Sequence, residues 1–177
     1  PTGVTQAGNA MTMKVNTSTA PSNANEGWIY YIVNPTGGSN TVAIDWSTVP
    51  SHATASLITC TGADQGADPF RGAASSATGT STAPSVSVTS ASGDIVFDLV
   101  VSALSALTVN GSQTEDSNQF IGGGNLVAGA SHEGGAASVS MDWTLAASQG
   151  WTIAGVSLKA AASTAVPQTL MLLGVGY

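Results

Sequence analysis

The chain has 177 residues, of which only 7% are charged, with Lys+Arg 3 against Asp+Glu 10 and a net charge of −7. Three scattered cations, Lys14, Arg71 and Lys159, cannot form a basic patch, which excludes binding to a nucleic-acid backbone or an anionic membrane surface. A hydrophobic fraction of 42% supports one well-buried core and argues against disorder, and no apolar run approaches the roughly 20 residues of a membrane-spanning helix, so no membrane insertion is expected.

Taken in order, the apolar runs are short, rich in β-branched residues and bounded by Gly, Pro, Asn, Asp or Ser. Strands are predicted over 11–16, 28–33 and 41–45, the last two separated by the turn Asn34-Pro35-Thr36-Gly37-Gly38. A strand over 53–61 follows, and then a Ser/Thr/Ala/Pro stretch over 73–84 that reads as a long surface loop resembling O-glycosylated segments. Ser85-Val86-Ser87-Val88-Thr89 alternates with period two, the mark of one buried and one wet face. Ile95-Val96-Phe97-Asp98-Leu99-Val100-Val101 is more continuously apolar, as a strand covered on both faces must be. Further strands are predicted over 107–113 (with a tight bend at Asn110-Gly111), 126–130, 139–145 and 151–159. Gly122-Gly123-Gly124 and Gly134-Gly135 read as loop points, and no window shows helical periodicity. The expected fold is therefore an all-β, jelly-roll-like antiparallel β-sandwich, with Trp28, Trp46, Trp143 and Trp151 as core anchors.

Candidate chemistry is sparse. Cys60 is alone, inside a strand-like stretch, and reads as a buried structural thiol. Asp64 and Asp68 supply the hard oxygens a calcium ion takes, but they read more simply as caps of turns. Glu115-Asp116 reads as a solvated turn and His132-Glu133 as an exposed loop. His52 and His132 lack partners at zinc-ligand spacing, no serine lies in a Gly-x-Ser-x-Gly elbow, and no cofactor motif is present. No enzymatic activity is expected. Asn16 and Asn110 stand in Asn-x-Ser/Thr patterns and are candidate glycan acceptors.

Residues 27–160 resemble a family of β-sandwich, jelly-roll domains found in phage tail and virion proteins and in bacterial surface proteins. The resemblance lies in Trp28-Ile29-Tyr30-Tyr31-Ile32-Val33-Asn34-Pro35, Thr41-Val42 and Thr61-Gly62-Ala63-Asp64-Gln65. It continues through Gly93-Asp94-Ile95-Val96-Phe97-Asp98, Ser138-Val139-Ser140-Met141-Asp142-Trp143-Thr144-Leu145 and Trp151-Thr152-Ile153-Ala154-Gly155-Val156-Ser157-Leu158-Lys159. Such domains open with an apolar strand and continue into a Val-Thr-x-x-Gly-x-x-Met-Thr hairpin. Here the hairpin, with Val4, Thr5, Met11 and Met13, lies almost at the N-terminus and its opening strand is missing. Thr169, Leu170, Met171, Leu172, Leu173, Gly174, Val175, Gly176 and Tyr177 look like that strand moved to the C-terminus.

Three arrangements fit this order. The chain is a circular permutant whose last strand folds home, one period of a tandem repeat, or a subunit that donates the strand to a neighbour. Residues 1–160 would be the sandwich, 161–168 a tether that spans roughly 25 Å when extended, and 169–177 the donor strand with the 4–13 hairpin as its acceptor. Donation makes every contact head-to-tail, and such contacts run on into filaments unless the rotation closes. The expected function is that of a self-assembling structural subunit, its partners copies of itself. The setting is a secreted filament, the cell surface or a virion; the start at Pro1 without Met suits an exported product. The alternative is a carbohydrate-binding or adhesive module, with glycans as partners.

Overall fold

The computed structural model describes residues 1–17, 25–124, 126–162 and 168–176. Strands follow one another closely: β1 Gly3–Gln6, β2 Asn9–Ala10, β3 Thr12–Asn16, β4 Glu26–Val33, β5 Val42–Asp45, β6 Ala53–Thr61, β7 Ser75–Ser81 and β8 Ser85–Thr89. Then come β9 Ile95–Ser102, β10 Leu107–Val109, β11 Thr114–Ile121, β12 Leu126–Gly134, β13 Ser138–Leu145, β14 Gln149–Leu158 and β15 Gln168–Gly176. Among the described residues the one helical element is a 3-10 turn at Gly122–Gly124.

All strand pairing is antiparallel and builds four sheets, ordered β2-β1-β5, β3-β4-β15-β6, β11-β12-β9-β14-β7 and β10-β13-β8. The expected all-β sandwich forms, and it has four layers where a sandwich ordinarily has two. The main core lies between the four- and five-stranded sheets, where Ile29, Tyr31, Met171 and Leu173 meet Phe97, Leu99, Val101 and Val156. On the other face of β9, Val96 and Val100 join Val127 and Ile153 against Val86, Val88, Val139, Met141, Trp143 and Leu145. The smallest core lies under the β2-β1-β5 flap, where Val4, Ile44 and Trp46 cover Trp28 and Tyr30 of β4. Trp28 and Trp46 meet there edge to face, with centroids 5.7 Å apart.

The patterning explains these layers. β9 is apolar on both faces because both are covered, whereas β13 buries Val139, Met141, Trp143 and Leu145 and leaves Ser138, Ser140 and Thr144 exposed. The flap turns on Ala7-Gly8, both with positive φ (51° and 80°), which is the backbone a two-residue hairpin loop requires.

Four expectations are corrected. Residues 73–84 are not one long loop, because β7 pairs along β14 from Gln149↔Ser81 to Gly155↔Ser75. Its small side chains make room for a large neighbour: a Cβ on Gly79 would sit 2.6 Å from the Trp151 ring. The strand expected over 107–113 stops at Val109, and a second one, β11, occupies 114–121. Glu115-Asp116 is a bulge in β11, and His132 lies within β12, its ring 5.7 Å from that of Phe97 and its Nδ1 2.8 Å from Asp116.

Candidate assembly site: the slot of β15

β15 takes an interior place in its sheet. It pairs with β4 from Thr169↔Val33 to Gly176↔Glu26, and with β6 from Gln168↔Thr61 to Gly176↔Ala53. Among the described residues β15 is the one strand that pairs with β6, whose Ile58 and Cys60 also pack in the main core. Met171 and Leu173 are each 1% exposed and point into the main core. Full burial of two such side chains contributes about 3–6 kcal/mol. On the opposite face, Gly174 lies under Trp28, Tyr30, Ile44, Trp46, Val4 and Pro1. A Cβ placed there would meet nothing closer than the Thr54 carbonyl oxygen at 3.9 Å.

Entry and exit lie side by side. After β14, Ala160 bridges Ala63 and the Ala161 N–H donates to the Gly62 carbonyl at 2.7 Å; β15 then begins opposite Thr61. The middle of the expected tether, 163–167, lies outside the described residues, as do Tyr177 and the side chains at 168–170, 172, 175 and 176. Of the described positions, Met171 and Leu173 are buried on one face of β15 and Gly174 is half-buried on the other.

The hairpin named as acceptor occupies a different position. Val4 and Thr5 belong to the flap, where Val4 pairs with Ile44 and Thr5 with Ala10 and Ala43. Met11 is buried in the flap core, and Met13 lies on β3 at 50% exposure. Within one chain the hydrogen-bonded neighbours of β15 are β4 and β6, and the hairpin covers the sheet from outside. Period two reveals which face a residue takes, not which strand lies beside it.

Asp64 and Asp68 act as the turn caps the sequence suggested. The Gly66 N–H donates to Asp64 Oδ1 at 2.9 Å and the Phe70 N–H to Asp68 Oδ1 at 3.1 Å. Each also holds an ammonium group, Lys159 at 2.8 Å and Lys14 at 3.1 Å. The Lys159 hydrogen bond, with the Gly66 N–H, keeps the Asp64 carboxyl below its ordinary range. Two carboxylates already engaged with lysines leave little for a calcium ion. Arg71 forms a bidentate pair with Asp94, to which the Ser157 hydroxyl also donates at 3.0 Å. Asn16 is exposed at the end of β3, though Ser18 of its pattern lies outside the described residues. Asn110 follows β10, and its Oδ1 accepts from the Thr144 hydroxyl at 3.0 Å. Burial raises the Cys60 thiol to about 11, with Asp116 adding to the effect, which leaves it protonated and unreactive at neutral pH.

One group escaped the sequence. Asp98 is 0% exposed, in the core between β9 and β13. Its Oδ1 accepts from the Ser131 N–H (2.8 Å) and hydroxyl (2.7 Å), and its Oδ2 accepts from the Trp143 indole N–H at 2.6 Å. The Trp143 ring gets that close by lying over Gly129, where a Cβ would be 2.7 Å from it. Gln113 extends the network, donating to Ser131 Oγ at 2.6 Å and accepting from the Asp142 N–H at 2.6 Å. Burial pushes the Asp98 carboxyl up to about 7 against these three donors. Asp98, Ser131 and Trp143 are sealed from solvent, and the cluster ties β9, β12 and β13 together.

Compared with protein-family models, with curated proteins and with solved structures, the chain finds no match in any of the three.

Proposed function

We propose that this protein is a structural subunit that assembles head-to-tail by placing β15 in the slot of the next copy. The observation that carries the reading is the position of β15, a strand near the C-terminal end of this sequence yet interior to its sheet, with Met171 and Leu173 in the main core. A copy whose β15 has left presents two open strand edges, β4 and β6, flanking an apolar floor, and the strand that fills this slot best is another β15. Exchange preserves every native contact, so the cost of polymerising lies in the tether and in lost freedom of motion rather than in new interfaces. With Ala161 held to Gly62 and β15 beginning at Gln168, the linking residues 162–167 reach roughly 20–25 Å when extended, which suits a contact between neighbours. The resemblance to surface and virion sandwich domains supports an extracellular, cell-surface or virion setting, and a surface of hydroxyls and small residues suits close packing of copies.

The test is a cross-link that records whose strand fills the slot. Glu26 and Gly176 are Cα partners across β4 and β15. Glu26→Cys with Gly176→Cys, in a Cys60→Ala background, should oxidise to a covalent ladder on a non-reducing gel. A single closed monomer band at high protein concentration sinks strand donation and leaves the carbohydrate-binding module as the reading to pursue.

A further inference from the structure

The two central sheets have four edges, and the chain treats them differently. β3 is broken by a bulge between Met13 and Val15 that carries Lys14, and β11 by one between Glu115 and Ser117 that carries Asp116. Bulges and charges are the usual devices that stop an edge from pairing with another molecule. β7 (SSATGTS) and β6 (ATASLITCT) have neither a charge nor a proline, and neither shows a register shift. β6 is the longer, and its midpoint is Leu57, a large apolar side chain that is 53% exposed. The flap stops short of this strand, leaving a groove of about 170 Å³ lined by Gln6, Asn40, Val42, Leu57 and Thr59. Ala53, Ala55, Leu57, Thr59 and Thr61 are consequently all exposed, an uncharged row along an edge that is open among the described residues.

We propose that β6 is a self-pairing edge. Two copies join antiparallel about a two-fold axis through Leu57 and merge their four-stranded sheets into one continuous sheet. The occupant is a second copy because the edge complements itself. About that axis Leu57 meets Leu57, Thr59 meets Ala55 and Thr61 meets Ala53, so the pairing buries both leucines and brings no charged side chain of β6 against its equivalent. In a molecule of net charge −7 that lets the two β6 strands themselves meet without like-charge repulsion. Such a contact is isologous and closes on itself, unlike a head-to-tail one. It therefore supplies lateral association, joining subunits or strings of subunits in pairs, and it stands whether β15 folds home or is donated, since β6 offers the same free edge in both.

Site-specific oxidation tests the register. In a Cys60→Ala background, Leu57→Cys should give a disulfide dimer, because facing Cα atoms in an antiparallel pair lie about 4.5–5.5 Å apart. Thr61→Cys alone should not cross-link, because its own equivalent lies roughly 27 Å away along the ladder. Mixed with an Ala53→Cys chain, however, it should give a heterodimer. Leu57→Lys should halve the mass of the soluble species by light scattering while leaving the far-ultraviolet circular dichroism of the fold unchanged. Equal cross-linking at positions 57 and 61, or none at 57, overturns the proposal. Neither result bears on the 26–176 ladder, so the two assembly modes fail independently.

Discussion

Replacing Asp98 by asparagine should remove a pH dependence of stability that runs opposite to the usual one for a carboxylate. Burial holds the folded carboxyl at about 7, whereas an unfolded aspartate titrates near ~3.9. The folded chain therefore binds the proton more tightly, and its contribution is fully present below ~4 and is lost as pH rises toward 7. Each pK unit corresponds to about 1.4 kcal/mol, so the full window is worth on the order of 4 kcal/mol. Asp94 works the other way. Its hydrogen bond from Arg71, outweighing its burial, lowers its pKa, and that stability is lost as pH falls below the ordinary aspartate range. A maximum in mildly acidic solution follows. Urea unfolding of the wild type from pH 4.5 to 7.5 should show midpoints falling with pH. Asp98→Asn keeps an acceptor for Ser131 but turns an amide N–H₂ toward the Trp143 indole N–H, costing about 1–3 kcal/mol at pH 4.5. Its gap to the wild type should narrow as pH rises. Two parallel profiles would refute the assignment of this slope to Asp98.

Two further substitutions probe the slot. Leu173→Ala empties a site that is 1% exposed in the main core and should cost about 2–5 kcal/mol, read as a lower urea midpoint, with a smaller loss indicating that the slot collapses around the gap. Gly174→Ala should raise the melting temperature, because its strand backbone accepts a Cβ with 3.9 Å of clearance and alanine loses less freedom on folding, worth about 0.4–1 kcal/mol; a lower melting temperature would show that the space under Trp28 and Trp46 is already full.

Legibility followed the size of side chains. β13 and β9 could be read because their large apolar residues mark one wet face in the first and none in the second. β7 could not, since Ser, Thr, Ala and Gly carry no period, and its place depends on Trp151 needing the absent side chain of Gly79. β11 was hidden by the charges of its own bulge, which resemble a turn. Asp98 looked like a polar break in an apolar run, and its burial depends on a second cover sheet contributed by β8 and β13, distant in sequence. The slot was half visible. The apolar strand stood out, but its neighbours β4 and β6 were chosen by tertiary packing, which leaves no local trace.

The dependence of β6 on β15 also sets the order in which this molecule can be made. Thr61 and Gln168 are more than a hundred residues apart, and so are Ala53 and Gly176. On a ribosome adding about 5–20 residues per second, β6 emerges several seconds before the strand that completes its sheet. Closing so long a loop is slow. For that interval the nascent chain carries two unpaired edges and an open apolar trough, so a chaperone or a strand from a finished neighbour has a kinetic opportunity that the completed fold denies.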